Sequence, residues 1–257
     1  MAVLKIQKRR LDQLLVDRGL VENKTRAQAI VMAGLVLSGT HRLDKPGHKV
    51  NVDIPLIIKG LEHPWVSRGG VKLAHGLDYF NINPEGLVSL DIGASTGGFT
   101  DVLLNSFAKK VYAVDVGYGQ LAWKISQDER VVVLDKTNAR YLCRDQVPEL
   151  VDLVVCDASF IGLEVILPAS MALTAPRAHM IALIKPQFEV GRGNVGSGGV
   201  VRDKKLHYDV IKRLQSWINE QCGWSVLGVT ESPLKGADGN KEFLIATIKG
   251  SKSHQNI

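Results

Sequence analysis

The chain has only three cysteines in 257 residues, Cys143, Cys156 and Cys222, and no two stand close enough to form a C-x-x-C pair. That spacing excludes a disulfide framework and a zinc ribbon, so no metal site is expected, and it suits a reducing, cytoplasmic compartment. Long apolar runs are also missing. The most apolar stretch, Val151 to Ala175, is interrupted by Asp152, Asp157, Glu164 and Pro168, which makes it a poor membrane span. The charged start (Lys5, Lys8, Arg9, Arg10) is not followed by an apolar core, so no secretory leader is expected. Aromatic residues make up 6% of the chain, there is no internal repeat, and no strand is followed by the dinucleotide fingerprint G-x-G-x-x-G.

What is present is the balance of a globular protein, 45% hydrophobic and 23% charged, with a net charge of +6. The excess is uneven. Residues 1–66 hold 11 Lys/Arg against 6 Asp/Glu, which accounts for nearly all of it. A basic N-terminal segment fits an anionic partner. The composition shift near Pro64 and Ser67-Arg68-Gly69-Gly70 divides the chain into residues 1–63, a linker with a lead-in helix over 64–83, a larger unit over 84–250 and a polar tail over 251–257.

Within the first segment the periodicity predicts a helix from about Lys8 to Gly19, with Leu11, Leu14 and Leu15 on one face. A second helix is expected from Thr25, capped by a Thr25–Gln28 box and ended by Gly34. Short strands follow at Leu35–Leu37 and at Val50, Val52 and Ile54. Arg10-Leu11-Asp12, Leu14-Leu15, Gly19, Lys24-Thr25-Arg26 and Ala33-Gly34 together resemble the S4 domain. That resemblance implies binding of structured RNA, with Arg9, Arg10, Arg18, Lys24 and Arg26 as candidate contacts. A helical cap that only packs on the larger unit is the alternative.

Beyond residue 84, strand-like runs at Val88–Ile92, Lys110–Val116, Val131–Leu134, Leu153–Cys156 and Met180–Ile184 alternate with helix-like stretches. The last two strands, Trp224–Val229 and Lys241–Ile248, have no helix between them. The pattern predicts an α/β, Rossmann-like, mostly parallel seven-stranded sheet with an antiparallel last strand. The first strand closes on Asp91-Ile92-Gly93-Ala94-Ser95-Thr96-Gly97-Gly98. Gly93 and Gly97 let a ligand approach the backbone, and Ser95 breaks the dinucleotide pattern. Asp91 beside this turn suits a cationic amino group. Asp115, at the end of the next strand, can accept two ribose hydroxyls. Those features favour S-adenosylmethionine (SAM) over a nicotinamide cofactor, with Ser95, Thr96, Asp135, Lys136 and Asn138 as further candidate contacts.

Asp157, Lys185 and Glu242 sit where three strand ends converge on the functional edge of such a sheet, and Lys72 can reach the same rim. Their order resembles the Lys-Asp-Lys-Glu tetrad of ribose 2′-O-methyltransferases. Across nearly the whole chain, the flanking motifs Ser67-Arg68-Gly69-Gly70-Val71-Lys72-Leu73, Asp91 to Thr100, Asp157-Ala158-Ser159-Phe160, Lys185-Pro186-Gln187-Phe188-Glu189 and Gly239-Asn240-Lys241-Glu242-Phe243 resemble the TlyA (hemolysin A) family of rRNA methyltransferases, FtsJ-like enzymes with an S4 domain. The resemblance implies methyl transfer from SAM to a cytidine ribose in ribosomal RNA. The lysine at position 185 is then the proton acceptor, Asp157 and Glu242 orient the lysines, and Lys72 holds ribose or phosphate. Neutralising a free lysine at pH 7 costs about 4.6 kcal/mol, so Lys185 is expected to act only with SAM bound. Because the chain stops soon after its last strand, the large ribosomal subunit is expected over the small one. The glycine-rich segment from Phe188 to Asp203 reads equally as a mobile loop over RNA or as a solvated connection, with Arg68, Arg192 and Arg202 as candidate phosphate contacts. A membrane-active hemolysin-like protein and a non-catalytic ribosome-assembly factor remain as alternatives.

Overall fold

A computed structural model describes residues 8–21, 23–59, 63–236 and 239–250; the side chain of Arg192 and the polar tail expected over 251–257 lie outside the described set. The N-terminal part builds β1 (Lys8–Arg10), α1 (Leu11–Asp17), α2 (Lys24–Met32), β2 (Val36–Ser38), β3 (His41–Arg42), β4 (Lys49–Asn51) and β5 (Ile57–Ile58). Its own small core holds Leu11, Leu14, Leu15, Ala27, Ile30, Val31, Val36 and Val50.

Two sequence expectations are corrected in this part. Lys8–Arg10 is a strand, paired antiparallel with Lys49–Asn51, and the first helix starts only at Leu11. Three consecutive cations carry no apolar face, so sheet pairing claims them. The second helix is capped by Asn23, whose side chain accepts from the Arg26 amide at 2.9 Å. Gln28 instead donates to the buried Asp12 carboxylate at 3.2 Å. Asn is the stronger N-cap, and the Gln side chain is drawn to a buried charge. Gly19 and Gly34 do follow the two helices in the left-handed region, with φ of +63° and +67°.

The larger part begins with α3 (Gly69–Tyr79) and continues β6 (Val88–Ile92), α4 (Gly98–Asn105), β7 (Lys110–Val114), α5 (Trp123–Ser126), β8 (Val131–Leu134), β9 (Val151–Cys156), α6 (Leu163–Ala172), β10 (Thr174–Ile184), α7 (Pro186–Glu189), α8 (Lys204–Glu220), β11 (Trp224–Glu231) and β12 (Phe243–Lys249). The seven strands run in the order β11-β12-β10-β9-β6-β7-β8. β12 is antiparallel to both β10 and β11, and the remaining pairs are parallel. The central strands are buried on both faces, as their near-continuous apolar runs require. Alternate residues feed two layers. Leu153, Val155, Ile181 and Leu183 pack with Leu73, Phe99 and Leu103 from α3 and α4. Val154, Cys156, Met180 and Ala182 pack with Leu163, Leu167, Val210 and Leu214 from α6 and α8.

The S4-like part rests against this sheet domain through a close approach at Gly19. A β-carbon there would lie 2.3 Å from the Ala122 β-carbon. Only glycine tolerates both that spacing and the positive φ.

Candidate active site and cofactor cavity

Each parallel strand stops one residue short of a residue singled out by the sequence. β6 ends before Gly93, β7 before Asp115, β8 before Asp135, β9 before Asp157 and β10 before Lys185. This edge collects backbone in unusual conformations. Ser95, Lys136 and Phe160 all hold positive φ, at +47°, +52° and +66°, a strain that non-glycine residues carry only where the surroundings enforce it.

Lys72 comes from α3, Asp157 and Lys185 from the ends of β9 and β10, and Glu242 from the residue just before β12. The antiparallel run of β12 brings its start to the edge where the parallel strands end. All four line one cavity of about 520 Å³ together with Arg68, Ser95, Phe160 and Phe188. They form two ion pairs. Lys72 Nζ donates to Glu242 Oε2 at 2.5 Å. Lys185 Nζ lies 2.7 Å from Asp157 Oδ1, and it donates to Ser159 Oγ at 2.7 Å and to the Asp157 carbonyl at 3.2 Å. Both lysines and Glu242 are buried. Charges this far from water persist only when paired. Glu242 also sits against backbone, because a β-carbon on Gly236 would lie 1.9 Å from its Oε1.

A second cavity of about 630 Å³ shares Gly93, Ser95, Asp157, Ser159 and Phe160 with the first, so the two are continuous. Its lining includes the polar residues Asp115, Asn138 and Arg140 and the apolar residues Ile92, Val116, Ile161, Val165 and Ile166. Asp115 accepts the Ser95 amide at 2.8 Å and the Gly117 amide at 2.7 Å, which fixes the two loops that flank it. Asn138 caps a short 3-10 turn by accepting from the Arg140 amide. Thr96 lines the first cavity, and Gly97, at φ +94°, caps α4.

Four candidate contacts line neither cavity, the capping Gly97 and three others. Asp91 is fully buried and lines neither cavity. Its Oδ2 accepts the Thr100 hydroxyl at 2.6 Å, and its Oδ1 has no hydrogen-bond partner. Burial, reinforced by the neighbouring Asp157 and Asp115 and opposed by Thr100, pushes its carboxyl up to about 7. Asp135 accepts the Gly119 amide at 2.9 Å and faces a separate crevice between the two parts of the chain. Lys136 places its Nζ 4.6 Å from the centre of the Tyr118 ring.

The candidate RNA contacts divide similarly. Lys24 and Arg26 are exposed at the start of α2. Arg9 pairs with Asp17, and Arg10 binds Asp12 through two bonds at 2.7 and 3.0 Å. Arg18 donates to the carbonyls of Val52 and Ile54, so it holds the small domain together. Arg202 is exposed. The glycine-rich segment folds into two 3-10 turns, Arg192–Asn194 and Ser197–Gly199. Its far end is pinned at Val201: Asn240 Oδ1 accepts the Val201 amide at 3.0 Å, and His207 Nε2 lies 2.9 Å from the Val201 carbonyl.

Sequence patterns passed over Thr100, Ser159, Arg140 and Asn240. Ser159 lies inside the quoted Asp157–Phe160 motif, and its position two residues past a candidate acid was the available signal. Asn240 had a similar one, two residues before Glu242. Thr100 closes the Asp91–Thr100 motif whose first carboxylate it meets, while Arg140 lay outside every motif.

Comparison with known proteins agrees with this geometry. Residues 65–249 match the FtsJ-like methyltransferase family, and residues 9–53 match the S4 domain. The 16S/23S rRNA (cytidine-2′-O)-methyltransferase TlyA of Mycobacterium tuberculosis is 45% identical over 92% of this chain and 88% of its own. The 23S rRNA (cytidine-2′-O)-methyltransferase TlyA of Campylobacter jejuni is 34% identical over 74% of this chain and 73% of its own. A solved hemolysin-type protein from Streptococcus thermophilus superposes with a TM-score of 0.73 at 42% identity, covering 96% of this chain and 90% of that one. The chain belongs to the FtsJ-like methyltransferase family and, within it, to the TlyA (hemolysin A) group, in which an S4 domain precedes the methyltransferase domain.

Proposed function

We propose that this enzyme transfers a methyl group from SAM to a cytidine ribose 2′-hydroxyl of ribosomal RNA. Residues 1–63 grip the RNA, and residues 84–250, with Arg68 and Lys72 from the lead-in segment 64–83, carry the chemistry. The observation that carries the proposal is the meeting of the Lys72–Glu242 and Lys185–Asp157 pairs in a cavity continuous with a nucleoside-sized one.

The residues present fit SAM. The partnerless Oδ1 of Asp91, close to two further carboxylates, suits a cationic amino group near the Gly93 turn. Asp115 and Asn138, in a cavity whose lining is otherwise largely apolar, suit an adenosine. When bound, the cofactor supplies an electrophilic methyl group on a sulfonium. The chain's own task is alignment and the handling of one proton. Lys185, once it has lost its own ammonium proton to solvent with SAM bound, takes the proton of the 2′-hydroxyl. Asp157 and Ser159 fix the direction of its Nζ. Lys72, held by Glu242, faces the ribose-phosphate, and Arg68 lines the same cavity on the RNA side.

Both named relatives carry 23S rRNA in their descriptions and only one carries 16S, which supports the large subunit as the principal substrate. The membrane-active alternative has less to stand on: no helix among the described residues is long and apolar enough to cross a membrane. The test is transfer of labelled methyl from SAM to unmodified large and small subunits, assayed separately, beside Lys185→Ala. Expected is label at one ribose of large-subunit RNA, reduced by at least about a hundredfold in the variant. Tight SAM binding without transfer to either subunit would sink the proposal in favour of an assembly factor.

A further inference from the structure

We propose that the methyltransferase domain carries an RNA-contact surface of its own, a rim of exposed aromatic rings roofed by cations at the ends of β7 and β8. It rests on the rRNA reading above and assigns residues that the S4 domain and the tetrad leave unused.

Tyr118 is 75% exposed, and the Lys136 ammonium lies 4.6 Å from its ring centre. Tyr141 is 70% exposed, and the Arg140 guanidinium lies 5.2 Å from its ring centre. The two loops are stitched together, because the Lys136 amide donates to the Gly117 carbonyl at 2.8 Å. Trp123, 64% exposed, follows on the Tyr118 side. From residue 136 to 144 the chain has three exposed cations, Lys136, Arg140 and Arg144, and no acidic residue. Arg140 also lines the nucleoside-sized cavity, so the rim borders the cavity proposed for the cofactor.

Single exposed apolar side chains are ordinary, but rings paired with cations along one edge call for a partner. Flat faces accept unstacked bases, and the cations over and beside them meet phosphates. An apolar protein partner would strand the cations in a dry interface. A regular A-form helix would hide its base faces from the rings. The fitting ligand is RNA whose nucleotides beside the target are splayed out of the helix.

The test uses the full chain with Tyr141→Ala and Arg144→Glu, singly and together, and with Tyr141→Phe. Affinity for deproteinised ribosomal RNA and for intact subunits is measured across a salt series, and affinity for S-adenosylhomocysteine by calorimetry. The double variant is expected to weaken RNA binding by about tenfold and to flatten the salt dependence by roughly one unit of slope. S-adenosylhomocysteine affinity stays within about twofold, and Tyr141→Phe, which keeps the ring, stays near the parent. Unchanged RNA affinity and slope in the double variant overturns the surface alone. So does a loss seen only on intact subunits, which assigns the face to a ribosomal protein, or an equal loss of S-adenosylhomocysteine affinity, which assigns it to the cofactor wall. Failure of the parent protein to bind either RNA overturns the rRNA reading along with it.

Discussion

Asp91 is the residue whose environment departs furthest from water. Burial raises its carboxyl to about 7, against about 3.9 in an unfolded chain. Between those values the folded protein holds a proton that the unfolded chain has lost. Stability therefore falls as pH rises from about 4 to about 7 and levels off above that. The span is on the order of 4 kcal/mol. Asp91→Asn is expected to flatten this decline, as read by urea unfolding at pH 5, 6 and 7; an unaltered slope would remove Asp91 as its source. A cationic ligand that engages Oδ1 reverses the preference and expels the proton. Binding of S-adenosylhomocysteine to the parent should thus tighten from pH 5 to 8 and release a proton detectable by calorimetry in buffers of different ionisation heat.

At the scale of elements, the central strands of the large sheet were readable from their apolar runs, since both faces are covered, although the part of β10 from Thr174 to His179 was not expected. Asp157 and Lys185 were readable for a related reason, since a charged residue directly after an apolar strand has few places to go other than the functional edge. Lys72 on α3 rested instead on the motif resemblance, and Glu242 ahead of β12 on that resemblance and the expected antiparallel strand. The small domain was less legible. Its elements are two to nine residues long, too short for periodicity to outvote local chemistry. Asn23 took the cap expected of Thr25, and Gln28 went to Asp12. The end of the glycine-rich segment was illegible because its anchor lies 39 residues away, at Asn240. That anchor can be checked. Asn240→Ala leaves the Val201 amide and the Gly199 carbonyl without their partner and should cost about 2 kcal/mol. Hydrogen exchange at the Val201 amide should accelerate in step; protection equal to the parent would show that the loop is held by something else.

On the scale of the whole molecule, charge and chemistry are divided between two bodies. The N-terminal segment supplies the basic excess, while the four-residue cluster in the cavity is electrically balanced, two lysines against two carboxylates. Affinity and turnover should accordingly separate. Reversing Lys24 and Arg26 together to glutamate is expected to weaken rRNA binding and to lower its salt slope by about two units. The rate at saturating RNA should stay within about twofold. A fall in that saturated rate with binding intact would place those cations in the chemistry instead.

The place of β12 has a consequence in time. Among the described strands it comes last in the chain, yet it lies between β10 and β11, hydrogen-bonded to both. Until it threads into that gap, β10 presents a bare edge and Glu242 is absent from its lysine. Every other strand can be in place and the centre is still missing one of its four charges. Pairing of β12 and completion of the four-charge cluster are therefore one event.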